Sequence, residues 1–253
     1  KNISFLRPSG KHYSNEKLEG LYTYSLAESR LGIGVFLENY WHTEYEYFWK
    51  ESGIRTDQSL STNISGSSKL TGMRALAQLD MLNNILLPKD GVFIQATYED
   101  GKLELGSNYN YQFYKAIAKV YQTFHLNTYG ISGYYHYGTE NTPLYMTTIL
   151  EGSQTFAGTK EFQLHGSSLT FFQIDYKYRQ DRDVYFHFIA NWIMNATSEN
   201  ANVVAENIWG FGTGITLVSP FGPLEFIWSI GPENIYSSTK QQHHFHFSAG
   251  YKF

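Results

Sequence analysis

The last thirteen residues, 241–253, read QQHHFHFSAGYKF. Their apolar side chains fall on one parity, which ends at Phe253, whereas the polar side chains His244, His246 and Ser248 fall on the other. Strict alternation with a period of two is typical of a β-strand whose faces meet different surroundings. Because chain ends normally fray, an apolar stripe that continues to the last residue indicates a strand held along its whole length.

The same period of two recurs along almost the whole chain. Residues 184–195, VYFHFIANWIMN, are a second clear case, and no stretch has the 3.6-residue period of an amphipathic helix. Hairpin signals such as Glu28-Ser29 and Gly101-Lys102 separate the alternating runs. The strands are predicted near residues 17–28, 30–41, 43–53, 68–82, 91–100, 106–121, 123–138, 166–179, 183–195, 207–219, 222–231 and 242–253.

The composition excludes several classes of protein. Of the 253 residues only 17% are charged, where about 25% is usual, while 17% are aromatic and the mean hydropathy is -0.37. No run of 18 apolar residues exists, which excludes a transmembrane helix. Without cysteine no disulfide or thiolate metal site can form, and a net charge of -4 gives no reason to expect nucleic acid as a partner.

The length of the predicted strands favours a membrane. Many have ten or more residues, whereas soluble strands average about five or six and membrane-spanning strands need about 9–11. A soluble barrel or β-sandwich would bury the apolar parity, whereas a membrane barrel would turn it to lipid. Tyr and Trp at the strand ends, and a polar parity rich in Gly, Ser, Thr and Asn, favour the membrane barrel.

The expected fold class is therefore all-β: an antiparallel transmembrane β-barrel of about 12 strands, with 8, 10 or 16 strands as alternatives. Residues 1–16 are expected to be an extended or irregular N-terminal segment, followed by a single barrel domain over 17–253. The expected location is a bacterial outer membrane, with outer-membrane lipid around the wall.

Charged residues on the polar parity are candidates for the lining of the lumen. They are Glu44, Glu46, Arg74, Asp80, Lys115, Lys119, Asp175, Lys177, Arg179 and Glu225. They could line a selective channel, or they could close the lumen as paired charges. Side chains fill an eight-strand barrel while 16–18 strands leave a channel. The roughly balanced signs favour a mostly occluded lumen.

Four stretches resemble a known family. Residues 210–231, GFGTGITLVSPFGPLEFIWSIG, contain the turn Ser219-Pro220-Phe221-Gly222-Pro223-Leu224 between two alternating strands. Residues 79–99 contain Asp and Asn ahead of Pro-x-x-Gly and a new strand, and residues 150–179 are laid out as a long loop followed by a strand. Together with the terminal Phe253, these stretches resemble the BamA-type barrels of the outer-membrane-protein-85 superfamily, over about residues 70–253.

The resemblance implies functional residues. The long loop would dip into the lumen with Gly152, Phe156, Ala157, Gly158 and Thr159 at its inner part. Tyr251 and Phe253 would belong to an outer-membrane sorting signal read by the barrel assembly machinery, a partner during biogenesis.

The chain departs from the family at this loop. The family carries Arg-Gly-Phe or Arg-Gly-Tyr at the tip, where this chain has Ala157-Gly158-Thr159, and an Asp on a facing strand, where this chain has residues 186–190, FHFIA. A buried Arg without its carboxylate would be costly, so the joint loss of both is physically coherent.

Two clusters are candidates for chemistry. His246 and Ser248 lie two apart on one strand face, as in outer-membrane lipid hydrolases, but a nucleophilic Ser needs a base and a group that orients it. His243, His244 and His246 could ligate a metal only with a further ligand, which the sequence does not supply. No enzyme activity, metal or cofactor is expected.

Three functions follow from the sequence. The first is a minimal BamA-type barrel without periplasmic domains, acting as a membrane anchor, a narrow pore or an assembly or transport component. The second is the translocator barrel of an autotransporter with a patatin-like passenger. The third is an outer-membrane lipid hydrolase that uses His246 and Ser248. A homodimer through the exposed aromatic wall is a further partner hypothesis.

Overall fold

The computed structural model describes residues 2–6, 9–14, 17–56, 66–84, 87–139, 141–142, 148–150, 157–158, 164–165, 167–197, 204–220, 222–233 and 240–249. The strands, in chain order, are β1 (Asn2–Leu6), β2 (Ser9–Ser14), β3 (Lys17–Leu37), β4 (Trp41–Thr56), β5 (Gly66–Asp80), β6 (Gly91–Gly101), β7 (Tyr111–Phe124), β8 (Asn127–Gly138), β9 (Thr148–Leu150), β10 (Leu164–His165), β11 (Ser168–Asp181), β12 (Val184–Thr197), β13 (Val204–Ser219), β14 (Gly222–Pro232) and β15 (Gln241–Ala249). No helix within these ranges is long and apolar enough to cross a membrane.

Among the described residues, thirteen strands form one antiparallel sheet. The order is β1-β3-β4-β5-β6-β7-β8-β11-β12-β13-β14-β15, and β2 also pairs with β3, while β9 and β10 form a small ladder of their own. The sheet is curved around an interior, because Lys89, just before β6, places its ammonium 5.6 Å from the ring centre of Tyr185 on β12. The predicted all-β antiparallel fold is thus confirmed.

The two faces of the sheet differ as a membrane barrel requires. The outer face exposes large apolar side chains, with Ile33 80% and Phe245 82% exposed. The inner face buries polar groups, including Asn191 and Ser229 at 0% and Glu99 at 3%. Soluble proteins have the opposite arrangement, so this distribution rules out the soluble-barrel alternative and leaves the apolar face for lipid.

The connections alternate in length. The turns at 38–40, 125–126, 182–183 and 220–221 are tight and share one end of the sheet. Longer connections, such as 102–110 and 139–167, share the other end. In outer-membrane barrels the short turns face the periplasm and the long loops face outward. We call these the short-turn end and the long-loop end.

The predicted hairpin at Glu28-Ser29 is wrong. β3 runs unbroken from Lys17 to Leu37, with Glu28 opposite Lys50 of β4 and opposite Ser4 of β1. The charged pair resembled a turn, but Glu28 is buried on the inner face and is 3.4 Å from the Lys50 ammonium. Partners distant in sequence therefore hold the backbone extended where local residue types favoured a turn.

The first residues of the chain also belong to the sheet. β1 and β2 lie end to end along the edge of β3, within the segment 1–16 that the sequence predicted as extended or irregular. The predicted strands 17–28 and 30–41 form one strand, β3. The sheet therefore has one predicted strand fewer, and β1 and β2 together form a further strand position at the edge of β3.

The predicted hairpin at Gly101-Lys102 is a longer connection. After Gly101 the chain makes a short 3-10 turn, Leu103–Leu105, and β7 begins only at Tyr111. The intervening backbone pairs with the end of β5, since Lys102 N–H donates to Thr71 O at 3.0 Å and Asn108 N–H donates to Lys69 O at 2.8 Å. These hydrogen bonds cover an edge that a tight turn would have left open.

Candidate functional site in the lumen

Six charges on β3 to β6 form a connected network on the inner face. The Lys50 ammonium lies 2.5 Å from Glu99 and 3.4 Å from Glu28, and the Arg30 guanidinium lies 2.7 Å from Glu28. The carboxylate of Glu46 lies 3.0 Å from Arg74 and 3.9 Å from Arg30, which completes the network. Three acids face three bases, so the set is neutral.

The network explains how these charges tolerate burial. Glu28, Lys50 and Glu99 are each less than 10% exposed, and an unpaired charge in such a position is strongly destabilising. The Tyr111 hydroxyl adds a hydrogen bond to Glu99. We call Glu28, Arg30, Glu46, Lys50, Arg74 and Glu99 the ion network.

Sequence analysis found only two members of the ion network, Glu46 and Arg74. It missed Glu28 because that residue was assigned to a turn, and it left Arg30, Lys50 and Glu99 out of the lumen charges although each lies on the inner-face parity of its strand. Parity within each strand identifies Arg30, Lys50 and Glu99, whereas Glu28 shares its parity with Tyr24 and Leu26, and only the register reveals its place on the inner face.

The other predicted lumen charges have separate partners. Asp175 and Lys177 form an ion pair at 2.8 Å, and Glu225 accepts a hydrogen bond from the Ser248 hydroxyl at 3.1 Å. Glu44 lies 2.9 Å from His42 Nε2, and Asp80 accepts from Leu82 N–H at 3.2 Å near the short-turn end.

Three predicted lumen bases have an aromatic residue as ring contact or register partner on the neighbouring strand. The Lys119 ammonium is 5.6 Å from the Tyr134 ring centre, a cation–π contact. Lys115 is in register with His136, and Arg179 is in register with Tyr185.

Ala157 and Gly158 lie against the inner faces of β12, β13 and β14. Ala157 is fully buried with Ile189 and Ile227, and its carbonyl accepts a hydrogen bond from Asn191 Nδ2 at 3.2 Å. Gly158 has φ +100°, and a Cβ there would lie 2.5 Å from Ile230 O. Only glycine therefore fits this close approach. We call Ala157–Gly158 the lumen tip.

The lumen tip accounts for the departure from the family pattern. Apolar contacts with Ile189 and Ile227 and one amide hydrogen bond from Asn191 surround Ala157, so no buried carboxylate is needed opposite it. The predicted loop residues Gly152, Phe156 and Thr159 lie outside the described ranges, as do Tyr251 and Phe253 of the predicted sorting signal.

The predicted family turn joins β13 to β14. The Ser219 hydroxyl donates to Gly222 O at 2.7 Å, and Gly222 has φ +107°. Pro223 pairs with Val218 and Leu224 with Leu217, so β13 and β14 are paired directly next to the turn. This hairpin orients the inner-face residues Glu225 and Ile227 toward the lumen.

The register of β15 divides its histidines between the two faces. His243 stacks on the outer-face ring of Trp228 with centroids 5.5 Å apart, whereas His244 is buried on the inner face and lies 6.3 Å from the His246 ring. No group of three or more His, Asp or Glu able to hold a metal occurs in the part of the chain that the structure describes. Ser248 directs its hydrogen bond to Glu225.

Sequence analysis also missed a contact across the short-turn end. Asp90 accepts hydrogen bonds from Thr123 N–H at 2.8 Å and from Gln122 at 3.3 Å. The Thr123 hydroxyl donates to Lys89 O at 2.8 Å, which helps to hold Lys89 where it reaches Tyr185. These contacts hold Lys89 and Asp90 at the short-turn end of the sheet. Their position depends on residues of β7 and β12, which are far apart in sequence.

Comparison with known proteins places these features in context. The model of the Omp85 superfamily domain matches residues 4–253. Among solved structures, BamA from Haemophilus ducreyi, crystallised without POTRA domains 1-3, is similar with a TM-score of 0.75 at 12% identity. The alignment covers 98% of this chain and 57% of that BamA chain, and at this identity the likeness concerns the fold. No curated protein sequence matches the chain.

Proposed function

The chain belongs to the Omp85 superfamily, and we propose that it acts in the outer membrane as a non-catalytic barrel component of protein assembly or transport, with a lumen closed at rest. Outer-membrane lipid is its surroundings in this proposal, and the barrel assembly machinery is its partner during biogenesis. The alternative of a translocator barrel for a patatin-like passenger stays a prediction, because none of the described contacts distinguishes it.

The packing of the lumen tip carries the proposal of a closed lumen. Its backbone approaches β14 so closely that a Cβ on Gly231 would lie 2.3 Å from Gly158 O. Asn191 holds the same segment from β12. A segment with contacts on three strands on the inner face supports a lumen that is closed at rest.

The ion network on β3 to β6 supports the same proposal. Its acids and bases are equal in number and already paired, so they present no net field to select a permeating ion. A channel lining built for selectivity would carry a ring of one charge sign. The paired set instead stiffens β3 to β6.

Conductance in planar bilayers tests the closed lumen. We expect the natural chain to be silent and Gly231→Ala to show discrete current steps, because the added Cβ displaces the lumen tip. Gly133→Ala is the matched control, since a Cβ there would meet only the Phe172 side chain at 3.4 Å, an ordinary contact. Steady steps from the natural chain would contradict the proposal.

A further inference from the structure

An open cleft of about 450 Å³ lies at the long-loop end, between β6, β7 and the residues after β8. Backbone hydrogen bonds build its rim, since Gln112 N–H donates to Thr139 Oγ1 and Thr139 N–H donates to Gln112 O, both at 3.0 Å. The lining residues that carry the argument are Asp100, Lys102, Gln112, Tyr137, Thr139 and Asn141.

The cleft lies at the rim of the sheet, with Asp100, Gln112 and Tyr137 on its outer side and Tyr111 on its inner side. Asp100 follows the inner-face Glu99, so it points to the opposite side of the sheet, where Gln112 is its register partner. The outer wall, which meets lipid lower down, thus carries a row of polar side chains at this level.

An aromatic row lies directly below this polar row, toward the membrane centre. Tyr98 pairs with Tyr114, and Tyr114 pairs with Tyr137. Their ring centroids are 4.8 Å and 6.1 Å apart. Tyrosine rows of this kind mark the level of the lipid headgroups in outer-membrane barrels, which puts the cleft at headgroup height.

A groove of small residues continues below the tyrosines. Ala96 pairs with Ala116, and Ala118 pairs with Gly133, all on the outer face of β6, β7 and β8. The larger exposed side chains of Ile94 and Tyr135 border them. The groove lies on the lipid-facing wall directly below the tyrosine row, within reach of an acyl chain that passes these rings from the cleft.

The charges of the cleft identify the headgroup chemistry. Lys102 and Asp100 neutralise each other at 3.1 Å, so the described lining residues offer no spare cation for a phosphate. The amides of Gln112 and Asn141 and the hydroxyl of Thr139 supply neutral donors and acceptors beside the exposed ring of Tyr137. Neutral hydrogen-bonding groups next to an aromatic face suit a saccharide.

We propose that this cleft binds the saccharide headgroup of a membrane glycolipid, whose acyl chain lies in the groove formed by Ala96, Ala116, Ala118 and Gly133. The residues that carry this proposal lie on the outer side of the rim, so it does not depend on the proposed function.

Native mass spectrometry of the purified full chain in detergent tests the site. The probe is a diacylglycerol with a neutral disaccharide headgroup, titrated in competition with phosphatidylethanolamine of matched acyl chains. A second arm titrates the free disaccharide. The test variant combines Gln112→Leu with Asn141→Ala, and the control is Asn195→Ala, the same change at an exposed position of β12 outside the cleft.

We expect the glycolipid to outcompete phosphatidylethanolamine and the double variant to bind it about tenfold more weakly, since two hydrogen-bonding groups are lost. Asn195→Ala should bind as the natural chain does. Unchanged binding by the folded double variant, or equal retention of phosphatidylethanolamine, would overturn the proposal. Equally tight binding of the free disaccharide would overturn its assignment to a membrane lipid. Far-UV circular dichroism and heat-dependent gel mobility establish that each variant is folded.

Discussion

At the scale of single residues, the environment of a charge decides its contribution to stability. Lys50 and Lys69 both form an ion pair with a glutamate, but the Lys50 side chain is 5% exposed and the Lys69 side chain is 73% exposed. A buried partner left alone loses its compensation, whereas an exposed partner regains water. The same residue type therefore has different roles on one sheet.

The pair of lysines provides a prediction. Lys50→Met leaves Glu28 and Glu99 without their shared cation and should lower the free energy of unfolding by about 3–5 kcal/mol. Lys69→Met should change it by less than about 1 kcal/mol. Denaturant unfolding in detergent, followed by tryptophan fluorescence, measures both. Equal effects of the two substitutions would show that the ion network does not stabilise the barrel.

Ser248 is a second residue whose role a substitution can test. Its hydroxyl donates to the Glu225 carboxylate, and we interpret this hydrogen bond as one that fixes the side chain on the inner face of the sheet. We expect Ser248→Ala to leave phospholipid turnover by the purified chain at the level of the natural protein. A loss of turnover confined to this variant would instead support the lipid-hydrolase hypothesis.

At the scale of elements, the lumen tip is held by contacts with β12, β13 and β14. Asn191 on β12 supplies one of them, a hydrogen bond to Ala157 O. A single hydrogen bond contributes about 0.5–1.5 kcal/mol, so its loss should loosen the tip without unfolding the sheet. The stability of the tip is thus separable from that of the wall.

Limited proteolysis tests this separation. In Asn191→Ala, trypsin cleavage after Lys160 should become about two- to tenfold faster, because cleavage follows the population of the opened loop. Asn195→Ala, on the same strand but exposed, should be cleaved at the natural rate. Equal rates in all three proteins would mean that Asn191 does not hold the tip.

At the scale of the whole molecule, the apolar outer face makes the protein dependent on its solvent. Ile174 on β11 is 58% exposed and Leu103 in the 102–110 connection is 53% exposed, yet only Ile174 lies on the membrane-spanning wall. Exposure to lipid and exposure to water impose opposite demands on a side chain.

Substitutions at Ile174 and Leu103 test exposure to lipid and exposure to water separately. Ile174→Arg should destabilise the barrel in a lipid bilayer by about 2–4 kcal/mol, the cost of a cation near the bilayer centre. Leu103→Arg, at the long-loop end, should have an effect within about 0.5 kcal/mol. Unfolding titrations in liposomes measure both, and a neutral Ile174→Arg would contradict a lipid-facing wall at that position.

The sequence by itself determined the fold class, the two faces and the family. Period-two alternation needs no information beyond neighbouring residues, because successive side chains of a strand point to opposite faces. The turn at 219–224 and the layout of 150–179 were enough to predict the superfamily, and the match over residues 4–253 confirms it.

Only the tertiary structure decided which groups meet. In the sequence Glu28 has the features of a turn residue, whereas the strand register places it opposite Lys50. Lys89 contacts Tyr185, which lies about a hundred residues later in the chain. Asn191, missed in the sequence, holds the lumen tip. Such contacts depend on strand register and on the curvature of the sheet. Both arise from packing summed over many strands, so no local pattern records them.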